Sequence, residues 1–249
     1  MKNTKEQVYI YGTHAINEAL ERSPEAVRHI YFVEKRDEKM LERIQKLDIP
    51  FDNCDADHLP RGVERDANHQ GYIALINPKK ILQDYKPFIN NLEVTDDTGI
   101  VVLNELTDPH NVGAIIRSAA AFGMAGVLIP EHRQAPITGA VVKVSAGMAF
   151  ALPIVSIVNV NTVLRDLKDK GFWIYGLTGE GDTSIQKEQF TKPSVFVLGN
   201  EERGIREKTE ETCDFRLSIP IQKDVESLNV AASAAVTFYA WKSQRGDVE

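Results

Sequence analysis

Cysteine is nearly absent: among 249 residues there are only Cys54 and Cys213. They stand far apart and without metal-ligand spacing, which excludes a disulfide framework and fits a reducing compartment. The six histidines are scattered and form no His/Cys cluster of the kind that holds zinc, so no metal is expected. No apolar run approaches the roughly 18 residues of a membrane span. The opening stretch MKNTKEQVYIYGTHAINEAL has neither a long apolar core nor a small-residue cleavage site, so no signal peptide is expected. A cytoplasmic protein with no membrane partner follows as an expectation. Excess positive charge is also missing. The chain carries −7, with 11 basic and 14 acidic side chains in residues 1–78 and 18 and 22 in the remainder. A nucleic-acid ligand would therefore have to be held by local basic patches and by shape, since the overall field is adverse. Two nucleotide motifs are absent as well. With no GxGxxG after the first strand of the C-terminal unit, an oxidoreductase on an open α/β sheet loses its main support, and with no GxxxxGK[ST] so does a phosphate-loop NTPase.

What is present is an ordinary globular composition, 43% hydrophobic and 26% charged, in a length suited to one large or two modest domains. Residues 1–78 read as a small α/β unit. Ala15 to Leu20 and Lys39 to Leu47 have helical spacing, HIYFVEK (29–35) and GYIALI (71–76) are strand candidates, IPF starts a short extended piece, and GVERDANHQG is a polar loop. Residues 77–99, with two prolines, paired lysines, NN and TDDTG, read as a linker with one short helix at most. From residue 99 strands and helices alternate: IVVLNEL, GVLIP, PIVSIV, FWIYGL, SVFVLG and DFRLSIP as strands, and 112–122, 137–148, 160–170 and 228–242 as helices. That alternation predicts a largely parallel sheet covered on both faces.

Three segments of this second unit each join an apolar run to a Gly, Asn or Ser turn and then to a helix-like stretch: NELTDPHNVGAIIRSAAAFG (104–123), VFVLGNEERGI (195–205) and LSIPIQKDVESLNVAASAA (217–235). In the first, Asp108 is a helix cap and Pro109 suits the first turn. Any helix could start so. Gly113 inside the helix is less ordinary, since it costs about 1 kcal/mol relative to alanine. Arg117, one turn on, sits in an apolar stretch and must reach a partner or a pocket edge. His110 reads as a capping or ligand-contact residue. The second segment places a glycine turn at a strand's carboxyl end, where ligands sit in α/β sheets; the plain alternative is a connecting turn with Glu201, Glu202 and Arg203 in solvent. In the third, Ser227 is the expected N-cap with Asn229 in the first turn. A simple core helix explains the alanines but not the preceding Ser227-Leu228-Asn229.

Together, in order and spacing, the three segments resemble the signature motifs of the SpoU (TrmH-type) methyltransferases, over roughly residues 100–242. The resemblance implies a deep trefoil knot, S-adenosylmethionine as methyl donor, a ribose 2′-hydroxyl of RNA as acceptor, and a homodimer. It implies catalytic roles for Asn111, Arg117, Glu201, Ser227 and Asn229, and cofactor contacts at Thr178, Gly179, Leu198, Gly199, Ile219 and Leu228. YGTHAINEAL and HQGYIAL resemble the L30e/L7Ae-like RNA-binding domain of the branch that methylates a guanosine ribose in 23S rRNA. The fold expected is therefore a small N-terminal L30e/L7Ae-like domain (1–78), a linker (79–98) and a knotted methyltransferase domain (99–249). Asn200 stands where serine or alanine is common in the family, and no loss of cofactor binding is expected from it. Arginine stays protonated in proteins, so Arg117 is expected to hold the 2′-oxygen and stabilise developing negative charge; the family's proposed mechanism makes it the base. A tRNA 2′-O-methyltransferase and a non-catalytic ribosome-assembly factor on the same fold are the competing readings.

Overall fold

The computed structural model describes residues 8–33, 37–63 and 68–245. The chain divides into two compact units: residues 1–82 with 137–151, and residues 83–136 with 152–249. The first unit contains β1 (Val8–Tyr11), α1 (Thr13–Arg22), β2 (Val27–Phe32), α2 (Glu38–Lys46), β3 (Phe51–Asn53) and β4 (Tyr72–Ile76). Its sheet runs β1-β4-β2-β3, with β4 antiparallel to both neighbours and β3 parallel to β2. Ile16, Leu20, Met40 and Ile44 lie one helical turn apart on α1 and α2, and all four are buried. Asp37 caps α2 by accepting from the Lys39 N–H. The end of the HIYFVEK strand candidate and part of GVERDANHQG lie outside the described residues.

The second unit opens with β5 (Leu82–Asp84) and α3 (Tyr85–Asn91). Both fall in the stretch read as a linker. β5 takes the edge of the large sheet, and α3 buries Phe88 and Ile89 in its core. Their polar, proline-containing composition concealed that each contributes only a few apolar side chains. Next come β6 (Gly99–Leu103), α4 (Pro109–Ala121) and β7 (Gly126–Pro130). The following helix, α5 (Gly139–Val144), groups with the first unit, where it packs against β1. The chain then runs through β8 (Ile154–Ile157), α6 (Val160–Asp169), β9 (Trp173–Leu177), β10 (Thr183–Ser184), β11 (Ser194–Leu198), α7 (Glu207–Glu210), β12 (Phe215–Ser218) and α8 (Val230–Ser243).

The eight strands are ordered β10-β12-β9-β11-β6-β7-β8-β5. From β10 to β8 every pairing is parallel. Central strands β6, β7 and β11 are buried at every position, as a parallel sheet covered on both faces requires. One face holds Ile100, Val102, Val195 and Val197 against Phe88, Leu164 and Leu167 of α3 and α6. On the other, Phe196 meets Phe238 and Trp241 of α8, with ring centroids 5.9 and 6.3 Å apart. The end of α8 is clasped. The Arg245 guanidinium stacks 4.1 Å from the Trp241 ring, donates to the Asp96, Phe190 and Trp241 carbonyls, and pairs with Asp97 at 3.1 Å. Burial lowers its pKa from the ordinary arginine value, and the Asp97 charge opposes that shift.

Candidate active site

Parallel strands end on the same edge, so the loops after β6, β9, β11 and β12 share the carboxyl edge of the sheet. These loops carry the motif residues. The Asp108 side chain caps α4 by accepting from the His110 N–H at 2.8 Å. Asn111, two residues into that helix, is buried. Its Nδ2 donates to Glu201 Oε1 at 3.1 Å, and its Oδ1 accepts from Asn229 Nδ2 at 3.0 Å. Glu201 also accepts from the Thr107 and Asp108 N–H groups, both at 3.3 Å, and from Asn200 Nδ2 at 3.2 Å. Three segments distant in sequence are thus fastened by one carboxylate and two amides. Burial alone would raise the Glu201 pKa. Hydrogen bonds from its own backbone, Asn111, Asp108 and Thr107 outweigh that effect and hold it below the ordinary value.

Asn229 corrects an expectation. It, and not Ser227, caps α8: its Oδ1 accepts from the Ala231 and Ala232 N–H groups. The helix accordingly starts at Val230, not at Leu228. Ser and Asn are both good caps, and two candidates two positions apart cannot be ranked without knowing where the backbone turns. Here the cap amide does double duty, with its oxygen on the helix and its nitrogen on Asn111. Ser227 is exposed and makes no hydrogen bond among the described residues. Arg117 lies further along α4, exposed and without an ion pair or hydrogen bond among the described residues. Asn111, Glu201 and Asn229 are therefore joined, and Arg117 and Ser227 stand outside that network.

Two residues proved more connected than the sequence indicated. Asn200 donates to the Glu105 carbonyl at 2.8 Å and accepts from the Glu202 and Arg203 N–H groups, both at 3.1 Å. The signal available was an asparagine within a glycine-bounded turn, the Asx-turn pattern. Glu105 itself has φ 66° and Arg133 φ 59°, left-handed conformations that neither residue type favours. Each costs of order 1–3 kcal/mol, and such strain gathers at functional sites. The Glu105 carboxylate binds Arg206 through Nε at 2.9 Å and Nη2 at 2.8 Å, and Arg133 Nη1 at 3.7 Å.

The residues expected at the cofactor sit on the same edge. The Thr178 N–H donates to the Leu217 carbonyl at 3.0 Å, tying the loop after β9 to β12. The Leu198 carbonyl accepts from the Asn104 N–H at 2.8 Å. Gly199 opens a tight turn closed by paired Asn200 and Gly204 backbone bonds of 2.9 Å, and Gly204 has φ 66°. A Cβ on Gly199 would overlap the Gly204 carbonyl carbon and the Ile205 nitrogen and stand 2.6 Å from the Gly204 oxygen. Gly179 faces open space, with no atom within 4 Å of where a Cβ would be. Ile219 is half-buried, while Ile221 and Leu228 are 40% and 37% exposed. Bare backbone at Gly179 and exposed aliphatic side chains in the loop after β12 offer polar edges and apolar surface on one sheet edge, as an adenosine-bearing cofactor requires.

Residues 99–239 match the SpoU rRNA Methylase family. The chain belongs to that family. Residues 9–82 match the RNA 2'-O ribose methyltransferase substrate binding family. Among curated relatives, the 23S rRNA (guanosine-2'-O-)-methyltransferase RlmB of Pectobacterium atrosepticum is 33% identical over 95% of this chain and 98% of its own. That of Haemophilus ducreyi is 35% identical over 92% and 95%. Among solved structures, the SpoU methyltransferase AviRb from Streptomyces viridochromogenes in complex with AdoMet superposes with a TM-score of 0.81, at 23% identity over 96% of this chain and 90% of that one. The TrmH/SpoU tRNA modifying enzyme of A. aeolicus, 26% identical, matches 67% of this chain and 83% of its own with a TM-score of 0.54. The SpoU match, residues 99–239, includes Asn111, Glu201 and Asn229.

Proposed function

We propose that this SpoU protein transfers a methyl group from S-adenosylmethionine to the 2′-hydroxyl of a guanosine ribose in 23S rRNA. The observation that carries this reading is the Asn111–Glu201–Asn229 network, which joins the three motifs at one sheet edge beside the Gly199–Gly204 turn. The rRNA assignment is supported by relatives of that name that align over nearly the whole chain, N-terminal unit included. Residues 9–82 act in this reading as the RNA-holding domain. In this reading the enzyme works in the cytoplasm.

Thr178, Gly179, Leu198, Gly199, Ile219 and Leu228 would hold the cofactor: backbone groups at Thr178, Gly179, Leu198 and Gly199 would read polar edges, and the Ile219 and Leu228 side chains would supply apolar surface. When bound, S-adenosylmethionine supplies an electrophilic methyl group. Ribose hydroxyl is a poor nucleophile until its proton leaves, so the protein must align the oxygen and favour negative charge on it. Arg117 does this. Its guanidinium is exposed, charged and free of internal partners among the described residues, so its N–H groups are available to the 2′-oxygen and a neighbouring phosphate. Asn111 and Asn229 fix α4 and α8, and Glu201 fixes Asn111. Ser227, in solvent beside Asn229, contacts the ribose.

The test is transfer of labelled methyl from S-adenosylmethionine to 23S rRNA and tRNA. Incorporation into rRNA ribose is expected, with a loss of about 10²–10³ in Arg117→Ala, the scale of one oxyanion donor. Near-normal turnover of Arg117→Lys would overturn the planar, two-pronged role of this side chain. Preferential labelling of tRNA would overturn the rRNA assignment. No labelling of either RNA, with cofactor still bound, would favour an assembly factor.

The active unit is a homodimer in this reading. Val236 and Tyr239 of α8 are 41% and 61% exposed, and Tyr239 lies edge-on to Phe122, 6.1 Å between centroids. Apolar surface on one helix suits a second copy. Light scattering at micromolar concentration should give twice the 27.8 kDa chain mass, and a monomer mass overturns the dimer.

A further inference from the structure

Glu105 is an unusual carboxylate. It holds a left-handed backbone conformation in the loop between β6 and α4, its carbonyl is bound by Asn200, and its side chain collects two arginines from elsewhere in the chain. Arg206 comes from the end of the Gly199–Gly204 turn, and Arg133 from the loop after β7, where it too is left-handed. Both side chains remain largely in solvent, 51% and 67% exposed, whereas Glu105 is 23% exposed. Exposed ion pairs contribute little stability, less than the strain of two non-glycine residues at positive φ. The Arg133 pair, at 3.7 Å and with that side chain 67% exposed, therefore does not offset this strain. Among these three side chains one carboxylate faces two guanidiniums, in a chain whose net charge is −7. Glu105 takes up only the Nε–Nη2 edge of Arg206 and one end of Arg133, which leaves N–H groups on both half-exposed guanidiniums for phosphate oxygens.

We propose that Arg133 and Arg206 form a binding site for an RNA backbone phosphate, with Glu105 holding the two guanidiniums in place until the phosphate arrives. The site rests on the RNA-methylating reading above and deepens it. Asn200 connects it to the chemistry, since the same amide binds the Glu105 carbonyl and Glu201. A strand gripped there has its position referred directly to the Asn111 network. Arg133 and Arg206 are positioning residues, and the contact carries no base preference.

The experiment is filter binding of a labelled 23S rRNA transcript to the full-length protein across a potassium chloride series, with S-adenosylmethionine affinity measured in parallel. Each of Arg133→Ala and Arg206→Ala should flatten the dependence of log affinity on log salt by about 0.7–0.9, one counterion contact each. Cofactor affinity should be unchanged. Arg165→Ala on α6, an exposed arginine outside the site, should leave the slope as it is. Glu105→Gln should move the other way, tightening RNA binding at low salt and steepening the slope, because two guanidiniums lose their internal counter-charge. If Glu105→Gln and Arg206→Ala instead weaken cofactor binding alike and leave the salt slope alone, the cluster is a strut for the turn and the proposal is overturned. An equal loss of slope in Arg165→Ala reduces the effect to net charge and overturns it too. Wild-type protein that does not bind the transcript overturns the RNA reading itself.

Discussion

Glu201→Gln is expected to lower methyl transfer by about 100-fold or more, the effect of misplacing a reacting group by roughly an ångström. Four donors converge on that carboxylate: Thr107 N, Asp108 N, Asn111 Nδ2 and Asn200 Nδ2. Glutamine replaces one acceptor oxygen with a donor that must face other donors. The amide will rotate to place its oxygen where most donors lie, and at least one donor then loses its partner. A lost or inverted hydrogen bond of this kind costs about 1–3 kcal/mol, so the unfolding midpoint in urea should fall as well. Because Glu201 contacts other protein groups and not the reacting atoms, the loss should appear in kcat more than in cofactor affinity. The acid limb of stability supplies a second readout. The folded-state pKa of Glu201 is depressed, so its contribution is fully present above the unfolded pKa, ordinarily about 4.3, and is lost as pH falls through the lower folded value. The gap in stability between wild type and Glu201→Gln should therefore be widest near neutrality and close as the solution is acidified. A gap independent of pH would mean that the charge of Glu201 does not hold the motifs together.

Gly199→Ala is expected to weaken S-adenosylmethionine binding by about 10- to 100-fold, or about 1.4–2.8 kcal/mol. The added carbon would collide with backbone atoms of Gly204 and Ile205, not with flexible side-chain ends. The turn would have to open, which breaks the two Asn200–Gly204 backbone bonds and displaces the Leu198 carbonyl end of β11. Overpacking of this kind costs about 1–3 kcal/mol of stability, so the melting temperature should drop with the affinity. Gly179→Ala separates the two effects. Nothing lies within 4 Å of its Cβ position, so the fold should keep its stability; if the cofactor occupies that space, affinity falls alone. Titration calorimetry and thermal unfolding of both variants make the comparison. Undiminished affinity in both would remove the Gly179 and Gly199 loops from the cofactor site.

Strands β6, β7 and β11 were legible as apolar runs because burial on both faces leaves no position for a polar residue. Helices α2 and α6 were legible because each buries one regular stripe. β10 has two residues and α7 four, too few for any period to emerge. β5 and α3 were masked by Lys86, Pro87, Asn90 and Asn91, which face solvent while Phe88 and Ile89 are buried in the core and Tyr85 packs against it. At the site, the resemblance to the SpoU motifs marked Asn111, Glu201 and Asn229. They could not indicate that Asn229 is itself the cap, or that Asn200 binds Glu105 across 95 positions of chain. Such contacts depend on where two distant turns come to rest, and local pattern carries no information about that.

The bond between Asn111 and Asn229 spans 118 residues, and the Arg245 clasp reaches back 149 residues to Asp96. During synthesis the strands β6 to β8 leave the ribosome long before α8 exists. Asn111 must then wait with its amide oxygen uncommitted, and Glu201 arrives before the partner that completes the network. A nascent chain that stops short of α8 lacks Asn229, so it can form the Asn111–Glu201 bond but not the Asn229–Asn111 bond. The three-segment network therefore closes only once α8 has been made.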